Sequence, residues 1–159
     1  MAVKLGLLGV LSIQSSSSKN AVSVTPGFIA SPFEKKRIFS TGNIMINHFR
    51  IDNARIFWDT GAKQTFVYVP NYDLIDARPL CSFPVSGIGA SENAQAYCAS
   101  IDLGGGIVVN NIIIGALLSD EPADHTVFDS ADVILGMDVI EHGSLRIDGE
   151  NHKWAFIVK

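Results

Sequence analysis

Phe57-Trp58-Asp59-Thr60-Gly61-Ala62 decides how this chain is read. Ala54 to Trp58 is a largely apolar run and reads as a strand that ends in a carboxylate, Asp59. Gly61 then allows the backbone to turn sharply without a Cβ clash. Such a carboxylate is held rigidly at the floor of a cleft. The tripeptide Asp59-Thr60-Gly61 alone is a weak signal, expected by chance in roughly a few per cent of chains of this length.

Working outward, the chain is strand after strand. Arg37 to Phe39 is a short run, stopped by Ser40-Thr41-Gly42-Asn43, and Ile44, Ile46 and Phe49 lie in the next. Asp52-Asn53 signals a tight turn before the run into Asp59. Thr65 to Val69 is β-branched and aromatic, and Pro70 to Pro79 is a loop. Cys81 to Val85 and Ala94 to Leu103 flank a glycine-containing tip, the pattern of a long hairpin. Ile107 to Leu118 is strongly apolar but interrupted by Asn110-Asn111 and Gly115, and an acidic loop, residues 119–130, follows. Ala131 to Leu135 reads as a buried-type strand. Met137 to His142 is the single helical turn, with Asp138 near its start, where an anion is favoured. Leu145 to Ile147 and Trp154 to Val158 close the chain around Asp148-Gly149-Glu150-Asn151.

Composition narrows the function classes. With 47% hydrophobic and 18% charged residues in a chain of 159, an ordinary globular core is feasible. The formal charge of −4 and the scattered basic residues argue against a nucleic-acid partner. No stretch reaches the roughly 20 apolar residues of a membrane-spanning helix. Cys81 and Cys98 lack a zinc-site spacing, and the four histidines are dispersed, so neither a metal nor another cofactor is expected. If residues 87–90 form the hairpin turn, Cys81 lies opposite Ala96 and Cys98 is a diagonal neighbour, too far for a relaxed disulfide, so both are expected as free thiols. Residues 1–32 read as an N-terminal extension or leader, with Ser15 to Ser18, Pro26-Gly27 and Pro32 as linker chemistry, and residues 33–159 as one domain. The cytoplasm is the expected compartment; residues 1–20 acting as a signal would make the protein secreted or periplasmic.

Two further segments raise the specificity of the first. Ala131-Asp132-Val133-Ile134-Leu135-Gly136-Met137-Asp138 follows downstream, and Val85-Ser86-Gly87-Ile88-Gly89-Ala90 sits at the hairpin tip. Their order and approximate spacing resemble the retropepsins, the aspartic proteases of retroviruses, retrotransposons and their cellular relatives, over about residues 37–159. The resemblance implies an all-β, small closed barrel-like acid-protease fold with one short C-terminal helix. It implies Asp59 as the catalytic aspartate, with Thr60 bracing two loops across a dimer axis and Gly61 and Ala62 completing the active-site loop. Gly87, Ile88, Gly89 and Ala90 would form a flap over bound peptide. Ile134, Leu135 and Gly136 would pack beneath the loop, and Asp138 would cap or brace the helix. Lys63 stands where retroviral members often carry an acidic residue, and Met137-Asp138 where they often carry a basic one. The paired reversal suggests an ion pair between Lys63 and Asp138.

Hydrolysis of a peptide bond by this chemistry needs two carboxylates, and the chain holds one copy of the loop and no internal repeat. Neither Asp132 nor Asp138 has the strand-to-glycine context, so the expected partner of Asp59 is Asp59 of a second copy. The expectation is a homodimeric aspartic endopeptidase acting on peptide or protein substrates. The alternative is a retropepsin-fold module kept for dimerisation or peptide binding without turnover.

Overall fold

The computed structural model describes residues 21–87, 90–118 and 131–159, with backbone alone at 86, 87 and 90–92. Its strands are β1 (Ser23–Val24), β2 (Gly27–Pro32), β3 (Phe39–Ile46), β4 (Phe49–Trp58), β5 (Phe66–Val69), β6 (Cys81–Gly87), β7 (Ala90–Gly104), β8 (Ile107–Leu118), β9 (Val133–Leu135), β10 (Ser144–Asp148) and β11 (Lys153–Val158). One short helix, α1 (Met137–Ile140), and a 3-10 turn (Tyr72–Leu74) are the helical elements among the described residues.

Six strands close on themselves. The neighbour order β8-β5-β9-β4-β3-β7 is completed by pairing between β7 and β8, which makes a barrel; β1 and β6 lie outside the ring. Closure leaves the ring strands without free edges. Alternation along β3 and β4 sends Ile44, Ile46, Ile56 and Trp58 inward, where they meet Val67, Ile101, Ile112, Ile114 and Leu135. β9 is buried on both faces, as its unbroken Val133-Ile134-Leu135 run requires. It runs parallel to β4 and antiparallel to β5, so it lies between the strand that delivers Asp59 and the strand that follows the loop.

Beside the barrel lies a second sheet, in the order β10-β11-β2. Here the linker reading of residues 27–32 gives way: Pro26-Gly27 and Pro32 bracket a strand that pairs with β11 from Lys153 to Val158. Proline is tolerated at a strand's ends, where a missing N–H costs no ladder bond. Residues 1–20 lie outside the described part.

Several expected breaks are absorbed inside strands. Ser40 to Asn43 does not stop β3; the chain makes a register shift between Gly42 and Ile44 and continues. Gly42 is required by close approach, because a Cβ there would stand 2.3 Å from the Asp102 carbonyl oxygen. The turn expected at Asp52-Asn53 lies instead at Asn47, with φ 52°, and Asn53 takes φ 54° within β4. Asn111 does the same within β8, at φ 58°. Asparagine tolerates the left-handed region better than most side chains, so a strand can bulge there and go on. The acidic loop 119–130 lies outside the described residues.

Candidate active site

Asp59 leaves the end of β4 with its backbone tied at both ends. Its N–H donates to the Leu135 carbonyl at 3.0 Å, and its own carbonyl accepts from the Ala62 N–H at 3.2 Å. The carboxylate turns back on the loop: Oδ1 accepts from the Gly61 N–H at 2.9 Å. Gly61 does not take a left-handed φ. Its small size matters because a Cβ would stand 3.2 Å from Asp59 Oδ1, crowding that hydrogen bond. Asp59 is half-buried, whereas Thr60 and Gly61 are exposed at the rim.

Below the loop the support is aromatic. The Trp58 ring packs against Trp154 and Phe156 of β11, with centroids 5.0 Å and 4.9 Å away. Its indole N–H donates to Ser40 Oγ at 2.9 Å, so the one polar atom of this ring is satisfied. The strand end that carries Asp59 is thereby clamped to the second sheet.

Behind the loop a second set of bonds joins it to the Gly136 segment. Thr65 is fully buried. Its hydroxyl accepts from the Gly136 N–H at 3.0 Å and donates to Asp138 Oδ1 at 2.7 Å. Its own N–H donates to Asp138 Oδ2 at 2.9 Å. The Met137 N–H adds a bond to the Ala62 carbonyl at 2.8 Å. Gly136 admits no side chain, since a Cβ there would lie 2.5 Å from the Gln64 backbone. Burial pushes the Asp138 carboxyl above its usual range, and the bonds from Thr65 oppose that shift.

The expected ion pair between Lys63 and Asp138 does not form. Both Asp138 oxygens are engaged by Thr65, and Lys63 is exposed. A carboxylate drawn into the interior by two neutral donors keeps those bonds; reaching Lys63 would give them up for a solvent-screened pair. Thr65 itself was read only as the start of a β-branched run. A signal was present: a hydroxyl-bearing residue a few positions after a strand-to-glycine turn, with an acid at the start of a later helix.

The remaining candidates fall as follows. Ile134 and Leu135 are buried in β9 beneath the loop. Gly87 pairs with Ala90 as the last register of the β6–β7 hairpin, and Ile88 and Gly89 lie outside the described residues. Cys81 faces Ala96 in that hairpin, as expected, and both cysteines are free. Among the described residues no three histidine, cysteine or acidic side chains converge as metal ligands, and no helix is long and apolar enough to cross a membrane.

Chemically, one carboxylate stands at an open rim with a rigid backbone beneath it. Among the described residues, two acids weighed as its partner are committed elsewhere. Asp132 Oδ2 accepts from the Arg55 N–H at 2.7 Å, and Asp138 belongs to Thr65.

No family model matches the sequence, and no curated protein matches it. Solved structures do. A retropepsin-like aspartic protease from Rickettsia conorii aligns at 16% identity over 86% of this chain and 94% of that one, with a TM-score of 0.52. The EIAV protease complexed with the inhibitor HBY-793 aligns at 17% identity over 70% of this chain and 91% of that one, TM-score 0.41. The retroviral protease-like domain of Ddi1 from Leishmania major aligns at 14% identity over 76% and 96%, TM-score 0.39. The first of these establishes the fold as retropepsin-like, in agreement with the strand content, the closed six-stranded barrel and the one short helix among the described residues.

Proposed function

We propose that this chain is an aspartic endopeptidase whose active site forms between two copies, each contributing Asp59. The observation that carries the reading is the Asp59 loop itself. It is a half-exposed carboxylate held by the Gly61 N–H, with its backbone N–H tied to Leu135, in a retropepsin-like fold, and among the described residues Asp132 and Asp138 are engaged elsewhere.

The mechanism follows from what two carboxylates do at close range. At a separation of about 3 Å two like charges cannot both ionise, so the pair shares one proton and its apparent pKa values split. Those values belong to the pair and not to either residue. The ionised member takes a proton from water as it attacks the peptide carbonyl, while the protonated member donates to the carbonyl oxygen. Collapse of the tetrahedral intermediate expels the amine, which takes the proton from the now-protonated member while a hydroxyl of the intermediate gives its proton to the ionised one, so the dyad again holds one proton. Thr60 at the rim braces the two loops, and Gly61 offers main-chain contact to substrate. The peptide lies extended beneath the β6–β7 hairpin, held by main-chain bonds as an added strand.

Digestion of a peptide library between about pH 4 and 7, the range such a dyad favours, tests the proposal. Asp59→Asn lowers the rate by about a thousand-fold, within the range for removing a general acid or base. An Asp59→Asn enzyme as active as wild type sinks the mechanism. Tight binding of a statine-type peptide with no cleavage of any library member would favour a binding module instead.

A further inference from the structure

The loop between β5 and β6, together with the early part of β7, forms an open cavity of about 480 Å³. That volume lies within the range of small-molecule sites. Neither Asp59 nor its loop lines it. The walls are anchored to the barrel rather than free to drift. Ile75 is buried in the core, and the Tyr72 hydroxyl donates to the Ala116 carbonyl at 3.1 Å. Where the loop runs into β6, the Leu80 N–H donates to the Ala96 carbonyl at 2.8 Å.

The chemistry of the lining is mixed in a particular way. Asp73, Asp76 and Arg78 all face this one cavity, and among the described residues none of the three makes an ion pair. Tyr72 and Tyr97 supply aromatic surface beside them. The Tyr97 hydroxyl donates to Gln95 Oε1 at 2.6 Å, which orients that amide and leaves its Nε2 as a donor to a bound molecule. Each group has a natural complement. Two carboxylates suit an ammonium, the guanidinium fork suits a carboxylate, an amide N–H suits a peptide carbonyl, and a tyrosine face suits an apolar side chain. A metal ion would leave Arg78 unanswered, and a phosphate would face two acids. A short peptide with both ends free answers all four.

We infer that this cavity binds a zwitterionic dipeptide with an apolar or aromatic side chain, its ammonium between Asp73 and Asp76 and its carboxylate on Arg78. Binding does not depend on the proposed chemistry; its consequence rests on that reading. A peptide with two free ends is an end product of protein breakdown, and the interior of an uncut chain offers no such pair of charges. The cavity therefore tells product from substrate. Its walls belong to the loop that enters β6 and to Gln95 and Tyr97 of β7, at the base of the β6–β7 hairpin. A dipeptide held there ties the loop to β7, so the hairpin opens less often to admit substrate and cleavage slows.

Isothermal titration of the full-length chain with phenylalanyl-leucine tests this, with a statine-type peptide in excess to keep the probe out of the cleft. Saturable binding of one dipeptide per chain is expected. The N-acetyl and C-terminal amide forms of the probe should each bind about tenfold more weakly, the cost of one contact to a charged group. Arg78→Gln should weaken the free dipeptide by the same factor and bind acid and amide alike. Asp73→Asn with Asp76→Asn should remove the preference for the free amine in the same way. All three positions are exposed, so the variants are expected to melt with wild type. No saturation at millimolar peptide overturns the inference, as do blocked probes that bind as well as the free one, or an Arg78→Gln protein that still prefers the acid. In a cleavage assay without the statine peptide, the dipeptide should lower kcat in wild type and not in Arg78→Gln. A raised KM with kcat unchanged would place the dipeptide in the cleft and overturn the regulatory role. End-dependent binding in a protein that cleaves nothing upholds the cavity and overturns the protease reading.

Discussion

Replacing Thr65 by valine isolates the hydroxyl that links the Asp59 loop to the Gly136 segment. Valine has nearly the same shape, so packing at this fully buried position is preserved and two hydrogen bonds are lost. The Gly136 N–H loses its acceptor, a buried unsatisfied donor that costs about 1–3 kcal/mol. Asp138 Oδ1 loses a 2.7 Å donor. A bond to a charged group contributes about 1.5–3 kcal/mol, and the two losses overlap because they share one hydroxyl. The expected net is about 3 kcal/mol, or a melting temperature lower by about 6–12 °C for a chain of this size. Thr65→Ser keeps the hydroxyl and loses one methyl, about 1 kcal/mol. Thermal and urea unfolding of the three proteins measure the difference. The pH dependence adds a sign. Burial raises the folded-state pKa of Asp138, so its contribution is present at low pH and is lost as pH rises through that value. Without the hydroxyl the folded-state pKa rises further, so the gap between Thr65→Val and wild type is wider at pH 7 than at pH 4. Thr65→Val within about 0.5 kcal/mol of wild type, the range of an ordinary surface change, would refute the reasoning. So would a serine variant as unstable as the valine one.

Asp138→Asn tests the same site from the other side. The amide can still accept from the Thr65 N–H and donate to its hydroxyl oxygen, and it does not ionise. The loss of stability on raising pH above the ordinary carboxylate range is therefore smaller in the variant than in wild type, as urea midpoints from pH 4 to 8 will record. Gly136→Ala forces a Cβ to 2.5 Å from the Gln64 backbone, which has no side-chain route of escape. A loss of about 2–3 kcal/mol or more follows, with cleavage falling alongside stability; a variant melting with wild type would contradict the packing described here. Asp59→Asn should leave the melting temperature within a few degrees of wild type while cleavage is lost. A large loss of stability would mean that Asp59 serves the fold more than the chemistry.

Local sequence settles what depends on a few neighbouring residues. Apolar Ala54 to Trp58 makes a strand, Gly61 lets the Asp59 carboxylate fold back on its own loop, and the unbroken Val133-Ile134-Leu135 run demands burial on both faces. Met137 to Ile140 forms the short helix where its pattern indicated. The signals that misled are also local. Ser40 to Asn43, Asp52-Asn53 and Asn110-Asn111 all resemble stops, yet each lies within a strand of the fold. The ladder between β3 and β4, and that between β7 and β8, resumes beyond each break and carries the chain through the bulge.

From the sequence alone come the all-β character, the Asp59 loop and its single copy, because strand propensity, turn chemistry and repeat count are properties of the chain taken in order. Tertiary structure alone decided three other things. It showed that Thr65 and not Lys63 holds Asp138, because burial favours neutral donors already in place over an exposed cation. It turned the proline-flanked residues 27–32 into a strand, because β11 offered an edge to pair with. Among the described residues it gave β10 one neighbour, β11, beside the aromatic clamp under Asp59, while the glycine turn after β7 crosses the opposite side of the same sheet. An edge is defined by what does not lie next to it, and only the folded chain shows that.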